Sequence, residues 1–275
     1  MKYFLSIDQG TTSTRCILFN TDGSIASSHQ IELKQYFPDN NSVEHDPIEI
    51  IDSVNKCIQN VVNDIDVNEI VSIGITNQRE TTVAWSKSTG KPFYNAIVWQ
   101  DTRTQSICDE LIENKRFTEL IKNTGLPIST YFSLSKILWL IENVSEIRSS
   151  LNSDVCFGTI DSWIVYNLTG NFYTDVTNAS RTLMYDLHNM EWSDDILNEL
   201  SIPKHSLPEV KPSLSNFGDI DGVIKGVPIT AILGDQQAAL FGQNCTSKGD
   251  LKNTYGTGCF ALTNTGTDIV KSDNG

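Results

Sequence analysis

A short apolar run at residues 3–7 ends in Asp8 and passes at once into Gly10, Thr11, Thr12, Ser13 and Arg15, within the stretch IDQGTTSTR at 7–15. A strand that delivers a carboxylate, a glycine turn, three hydroxyls and a guanidinium to one tip leaves two readings. One is an ordinary hairpin, since Asp, Gly, Thr and Ser are the commonest turn residues. The other is a phosphate loop, in which Gly10 lets backbone N–H groups approach a polyanion, the hydroxyls donate and Arg15 neutralises charge. Asp8 would then be free to hold a metal ion, usually through water.

The chain has 275 residues, 39% of them hydrophobic, enough for one large or two small domains with a sizeable core. A net charge of −14 makes nucleic acid an unsuitable partner, because the phosphate backbone is bound through an excess of Lys and Arg. No apolar run approaches the ~20 residues that span a bilayer, and Met1-Lys2 leads straight into a strand without a signal peptide. The expectation is a cytoplasmic protein with no membrane span. Cysteines 16, 57, 108, 156, 245 and 259 form no C-x-x-C pair, and buried reduced thiols are expected.

The pattern along the chain is that of an α/β protein. Residues 3–7, 16–19 and 24–33 read as three antiparallel strands, the second turn closed by Thr21-Asp22-Gly23. Asp46-Pro47-Ile48-Glu49 is a helix start, followed by Ile50, Val54, Ile58 and Val61 at helical spacing. Residues 70–76 form a fourth strand that ends in Asn77-Gln78-Arg79-Glu80, and 81–85 with 94–99 form a hairpin. From 101 to 168 the pattern is helical, 174–181 is a polar loop, and Pro203, Pro208 and Pro212 mark an irregular connection. Residues 227–233 form a strand that runs into Gly234-Asp235-Gln236 and a helix, and two strands flank Gly256-Thr257-Gly258. The Gly/Thr turns near both ends, about 245 residues apart, suggest two related sub-folds, the second barely begun.

Beyond the first turn, four places offer chemistry. Arg79 and Glu80 emerge at a strand end, where ligand sites of α/β sheets lie, although a surface ion pair gives the same pattern. Trp99, Tyr131 and Phe260 suit either core packing or an aromatic wall against the C–H faces of a polyhydroxyl ligand. Asp235 is either a plain helix N-cap or a general base at a strand tip, with Gln236 beside it. Gly256-Thr257-Gly258 could cradle phosphates through its backbone.

The segments IDQGTTSTR (7–15), VEHDP (43–47), GITNQRETTVAW (74–85), NAIVWQDTRT (95–104), YFSLSKILWLIEN (131–143), TNASRT (177–182), GDQQAALFGQ (234–243) and NTYGTGCF (253–260) are spread over the whole chain. Together they resemble the N-terminal half of the glycerol-phosphorylating members of the FGGY carbohydrate-kinase family. The resemblance implies a ribonuclease H-like fold of the actin/hexokinase/Hsp70 ATPase type, with a mixed five-stranded sheet flanked by helices. It implies ATP-dependent phosphorylation of glycerol to sn-glycerol 3-phosphate, with Mg²⁺ and ATP as cofactors. Glycerol would be held by Arg79, Glu80, Tyr131, Asp235 and Gln236, with Trp99 and Phe260 against its carbon face. Asp235 would be the catalytic base, Asp8 a Mg²⁺-linked carboxylate and Asp235 a second metal-side carboxylate. Thr11, Thr12, Ser13 and Arg15 would meet the ATP phosphates, with Gly256 and Thr257 closing from the other side.

Members of this family are about twice as long. The expectation is therefore a glycerol-binding N-terminal domain at 1–250 and only the start of a nucleotide-binding domain at 251–275, inactive alone and with an uncovered face that leaves room for a homo-oligomer. The same residues leave two alternatives: a different polyol or ketose as substrate, or a non-catalytic glycerol-binding module.

Overall fold

The computed structural model describes residues 1–255 and 258–272. Strands β1 (Tyr3–Gln9), β2 (Ser13–Asn20) and β3 (Ile25–Glu32) pair antiparallel in sequence, as expected. The first turn is tight: the Gly10 N–H donates to the Ser13 carbonyl at 2.9 Å. The helix α1 (Pro47–Val61) starts where the sequence places it, with the Asp46 carboxylate accepting from the Ile48 N–H at 2.8 Å and proline at the first helical position. Its Ile50, Val54, Cys57, Ile58 and Val61 are buried in one core with Leu5, Ile7, Cys16 and Leu18 of the sheet.

That sheet has six strands, in the order Leu214–Asp219, Pro228–Gly234, Ile70–Asn77, β1, β2, β3. The expected count is five; the sixth is Leu214–Asp219, which falls in the stretch read as an irregular connection. It pairs antiparallel with Pro228–Gly234 at the sheet edge, where nearby prolines cost no ladder hydrogen bond. The three central strands run parallel, and their register sets Gln9 opposite Asn77 and Asn77 opposite Gly234. The C-terminal ends of three strands distant in sequence thus finish level.

A second sheet joins Glu44–His45, Ala96–Ile97, Thr82–Ser86 and Val155–Thr159. The expected hairpin between 81–85 and 94–99 is reduced to the pairing of Thr82 with Ile97 and a bridge between Trp85 and Pro92. Strand Val155–Thr159 lies inside the region whose pattern reads as helical. All five residues are buried, so no alternation marks them, and a short apolar run buried on both faces carries no period. Residues 174–181 are likewise not a simple loop: Tyr173–Asp175 is a strand and Val176–Ala179 one helical turn capped by Asp175. Helix Ser133–Asn143 anchors a second core with Phe117, Phe157 and Tyr185.

All six cysteines are free, but only Cys16, Cys57, Cys108 and Cys156 are buried. Cys245 is half-buried and Cys259 exposed, because both lie beyond the main sheet, near the C-terminal hairpin of Leu251–Tyr255 and Cys259–Thr263. Among the described residues no helix is long and apolar enough to cross a membrane.

One buried acid predicts a pH response. Asp161 is fully buried, and its carboxylate accepts from the Thr159 hydroxyl at 2.5 Å and the Thr174 hydroxyl at 2.7 Å. Burial, reinforced by the charge of Asp175, pushes its carboxyl up to about 7. The folded chain therefore holds this proton more tightly than the unfolded one. The stabilisation is complete below the unfolded value near 4, is lost as pH rises to about 7, and changes no further above it. A shift of three pH units corresponds to up to about 4 kcal/mol. Thermal melts should fall between pH 5 and 7.5, and Asp161→Asn should flatten that fall; an unchanged slope in the variant would exclude Asp161 as its source.

Candidate functional site at the parallel strand ends

Beyond the level strand ends the chain leaves the sheet three times, and each exit contributes to one cavity. The β1–β2 turn brings Thr11 and Thr12, the end of Ile70–Asn77 brings Gln78, Arg79 and Glu80, and the end of Pro228–Gly234 brings Asp235 and Gln236. Trp99, Tyr131, Thr254, Gly258 and Phe260 complete the lining of about 170 Å³. Pockets for drug-sized ligands run to roughly 300–1,000 Å³, so this one suits a small molecule.

Glu80 takes a left-handed backbone conformation with φ 63°, uncommon for a side chain this large. The turn this creates sends Arg79 and Glu80 into the same buried place. Glu80 is almost fully buried, and burial pushes its carboxyl above the usual range against the opposing pull of Arg79 and Arg181. The Arg181 Nε donates to Glu80 Oε1 at 2.7 Å. The Arg79 Nε lies 3.1 Å from Asp235 Oδ1, an ion pair off the line of a hydrogen bond, while its Nη1 donates to Gln237 Oε1 at 3.1 Å.

Asp235 opens helix Asp235–Gly242, and the residue before it has to be small. A Cβ on Gly234 would stand 2.6 Å from Arg79 Cδ and 2.7 Å from its Cγ. Asp235 Oδ1 accepts from the Gln236 N–H at 2.7 Å, and Oδ2 from the Gln236 side-chain amide at 2.9 Å. Its side chain keeps 37% of its exposure, so one face remains open to the cavity. The Lys252 ammonium donates to Gln236 Oε1.

The aromatic residues form one wall. Trp99 meets Tyr131 edge-on at 5.6 Å and Phe260 at 6.1 Å between ring centroids, and its indole N–H donates to the Thr11 hydroxyl at 2.9 Å. Lys136, fully buried in helix Ser133–Asn143, ties down the loop that presents Tyr131. Its ammonium donates to the carbonyls of Thr130, Tyr131 and Phe132, and burial lowers its pKa to about 8. Burial and the nearby Glu80 carboxylate push the Tyr131 phenol up to about 12, so it remains a donor at neutral pH.

All seven side chains expected around a substrate therefore line one cavity, together with Thr11 and Thr12. Three expected phosphate or metal residues sit outside its lining. Arg15 lies opposite Asp8 in the β1–β2 ladder and donates to Asp8 Oδ2 at 2.9 Å, and the Ser13 hydroxyl accepts from Gln30 at 3.1 Å. Burial, partly offset by Arg15, pushes the Asp8 carboxyl above its usual range, and the charge of Asp235 adds to the rise. Gly256 and Thr257 lie outside the described residues. No group of three or more His, Cys, Asp or Glu residues that could hold a metal occurs among the described residues. Asp8 and Asp235 keep 32% and 37% of their side-chain exposure, and part-exposed carboxylates are the donor type that a largely hydrated Mg²⁺ takes, one or two at a time. Arg181, Gln78, Lys252 and Thr254 are absent from the sequence-based selection. Arg181 lies within TNASRT at 177–182, yet nothing local in that segment reveals its partner 101 residues away.

Residues 3–242 match the model for the N-terminal domain of the FGGY family of carbohydrate kinases. The solved structure of Plasmodium falciparum glycerol kinase with ADP is similar over 99% of this chain and 56% of its own, with 39% identity and a TM-score of 0.94. Gluconate kinase from Lactobacillus acidophilus matches at 24% identity and a TM-score of 0.80, over 89% of this chain and 50% of its own. Xylulose kinase from Rhodospirillum rubrum matches at 18% identity and 0.85, over 93% and 53%. The last two show the shared fold alone, and the chain spans about half the length of each of these proteins. With its actin/hexokinase/Hsp70-type α/β fold and residues 3–242 matching the family's N-terminal domain, the chain belongs to the FGGY family of carbohydrate kinases.

Proposed function

We propose that this chain is the substrate-binding half of a kinase that phosphorylates glycerol to sn-glycerol 3-phosphate with Mg-ATP. The observation that carries this reading is the meeting of Arg79, Glu80, Asp235 and Gln236 with an aromatic wall around one small cavity at level strand ends. Alternating donors and acceptors suit a triol's hydroxyls, and Trp99 and Phe260 suit its carbon face. The 39% identity to a protein solved as glycerol kinase supports the same substrate. A different polyol or ketose would need other hydrogen-bond partners at Arg79, Glu80 and Gln236, so a panel of glycerol, xylulose and ribulose tests the choice.

In this reading Asp235 accepts the proton of the attacking hydroxyl, while Arg79 and Glu80 fix the other hydroxyls. Thr11, Thr12, Ser13 and Arg15 meet the phosphates, and Gly256 with Thr257 approaches them from the opposite side. Asp8 and Asp235 would hold Mg²⁺, which supplies charge neutralisation at the transferred phosphoryl group. The division we propose is a glycerol-binding domain at 1–250 and the beginning of a nucleotide-binding domain at 251–275, in a cytoplasmic protein. Closure around ATP requires a second domain that excludes water, so the 275 residues alone should turn over little or nothing.

Calorimetry on this chain should show measurable glycerol binding and little Mg-ATP binding. Absence of any glycerol heat, with the chain folded, would remove the substrate assignment. ATP-dependent glycerol 3-phosphate formation near the rate of a complete enzyme would remove the inference of inactivity.

A further inference from the structure

The cavity depends on two strand ends staying level, and the backbone ladder stops where the chain leaves the sheet. Beyond Asn77 the Gln78 N–H still reaches the Gln9 carbonyl at 2.7 Å, whereas the Gly234 N–H and the buried Asn77 side chain need partners other than the ladder. Those partners come from one helical turn elsewhere in the chain. The Gly234 N–H donates to the Thr177 hydroxyl at 2.8 Å. Asn178 and Asn77 exchange side-chain amide hydrogen bonds at 2.9 and 3.1 Å, and Asn77 also donates to the Gln78 carbonyl at 2.9 Å.

Both residues are held by a single buried carboxylate. Asp175 accepts from the Thr177 N–H at 3.0 Å and hydroxyl at 2.7 Å, and from the Asn178 N–H at 3.0 Å and side-chain amide at 2.9 Å. The Ser213 hydroxyl, just before the edge strand, supplies a fifth donor at 2.7 Å. Asp175, Asn178 and Asn77 are all fully buried. Because the Thr177 hydroxyl donates to Asp175, it presents a lone pair to Gly234, so its orientation is settled.

We propose that Thr177 and Asn178, oriented by Asp175, are positioning residues that latch the strand end carrying Asp235 to the one carrying Arg79 and Glu80. The distance they hold is the one the site uses. Arg79 lies directly over Gly234 and contacts Asp235 at 3.1 Å, so a slip between the two ends separates the ion pair. Displacement of a reacting group by ~1 Å can cost about a hundredfold in rate. Neither Thr177 nor Asn178 lines the cavity, so the effect passes through the strand ends.

Amide hydrogen exchange on this chain tests the latch without a ligand. Thr177→Val removes the hydroxyl and keeps the shape, whereas Thr177→Ser keeps the hydroxyl. Thr177→Val should raise exchange about tenfold at both 234–237 and 77–80, with Ile73 and Ile75 unchanged, and Thr177→Ser should restore wild-type rates. A rise confined to the Gly234 amide, or no rise at all, overturns the latch. So does a rise that extends evenly to Ile73 and Ile75, which would mark a merely structural role. The consequence for binding rests on the proposed glycerol reading: affinity should fall about tenfold in Thr177→Val and recover in Thr177→Ser. A wild-type chain that binds no glycerol sinks the substrate reading and leaves the exchange result to decide the latch.

Discussion

On the proposed reading, Asp235→Asn in a chain joined to a family nucleotide-binding domain should lower turnover by about 10²- to 10⁴-fold, the range general base catalysis contributes, while glycerol binding stays within a few-fold of wild type. The asparagine keeps the side-chain shape and an oxygen that can accept from the Gln236 N–H, now 2.7 Å from Asp235 Oδ1. It cannot take up the proton of a substrate hydroxyl. It also removes the charge that faces Arg79 at 3.1 Å, so a modest loss of affinity is part of the expectation. Initial rates of glycerol 3-phosphate formation, paired with calorimetry of glycerol on the same variant, separate the two effects. Retained turnover would exclude Asp235 as the base. Lost binding with proportionate loss of kcat/KM would make it a ligand rather than a proton acceptor.

The largest effect on stability should come from Arg103→Met. Arg103 stands between two buried carboxylates, with Nη2 2.7 Å from Glu44 Oε1 and 2.8 Å from Asp101 Oδ2, and its Nε shared between both Asp101 oxygens at 3.0 and 2.9 Å. Tyr94 and Asn95 each donate to Glu44 at 2.9 Å, and the guanidinium packs over Trp139 at 4.8 Å. Methionine fills comparable space but strands two acids in a region with little water. Removal of one partner from such a group costs roughly 3–5 kcal/mol. At about 2–4 °C per kcal/mol, the melting temperature should drop by roughly 6–20 °C. The triple variant Glu44→Gln, Asp101→Asn, Arg103→Met should recover much of the loss, since its penalty is the unpaired charge. A drop of less than about 1 kcal/mol in the single variant would show that water reaches the carboxylates.

Local chemistry was readable wherever a residue's role depends on near neighbours in sequence. The Asp46-Pro47 start of α1, the turn at Gly10 and the strand-to-helix passage at Gly234-Asp235 are written in four or five consecutive residues, and the structure places each there. Where burial on both faces erases periodicity, as in Val155–Thr159, the strand goes unseen. The edge strand Leu214–Asp219 is hidden for another reason: it pairs with only one neighbour and lies among prolines. The exposed Cys259 departs from expectation because composition says which residues prefer the interior, not which segment ends up outside the main sheet.

The order of residues supplies the kinds of group available: a hydroxyl-rich turn, an Arg-Glu pair, a strand-tip aspartate and several aromatics, together with motifs that mark the FGGY family. The packed fold is what brings them to one cavity, because that rests on the parallel register of Gln9, Asn77 and Gly234. It also decided that Arg181 reaches Glu80, that Thr177 meets Gly234 and that Asn178 meets Asn77. These are contacts between residues far apart in the chain. Hydrogen-bond geometry of that kind follows from how strands align and what buries them, and no spacing along the sequence records it.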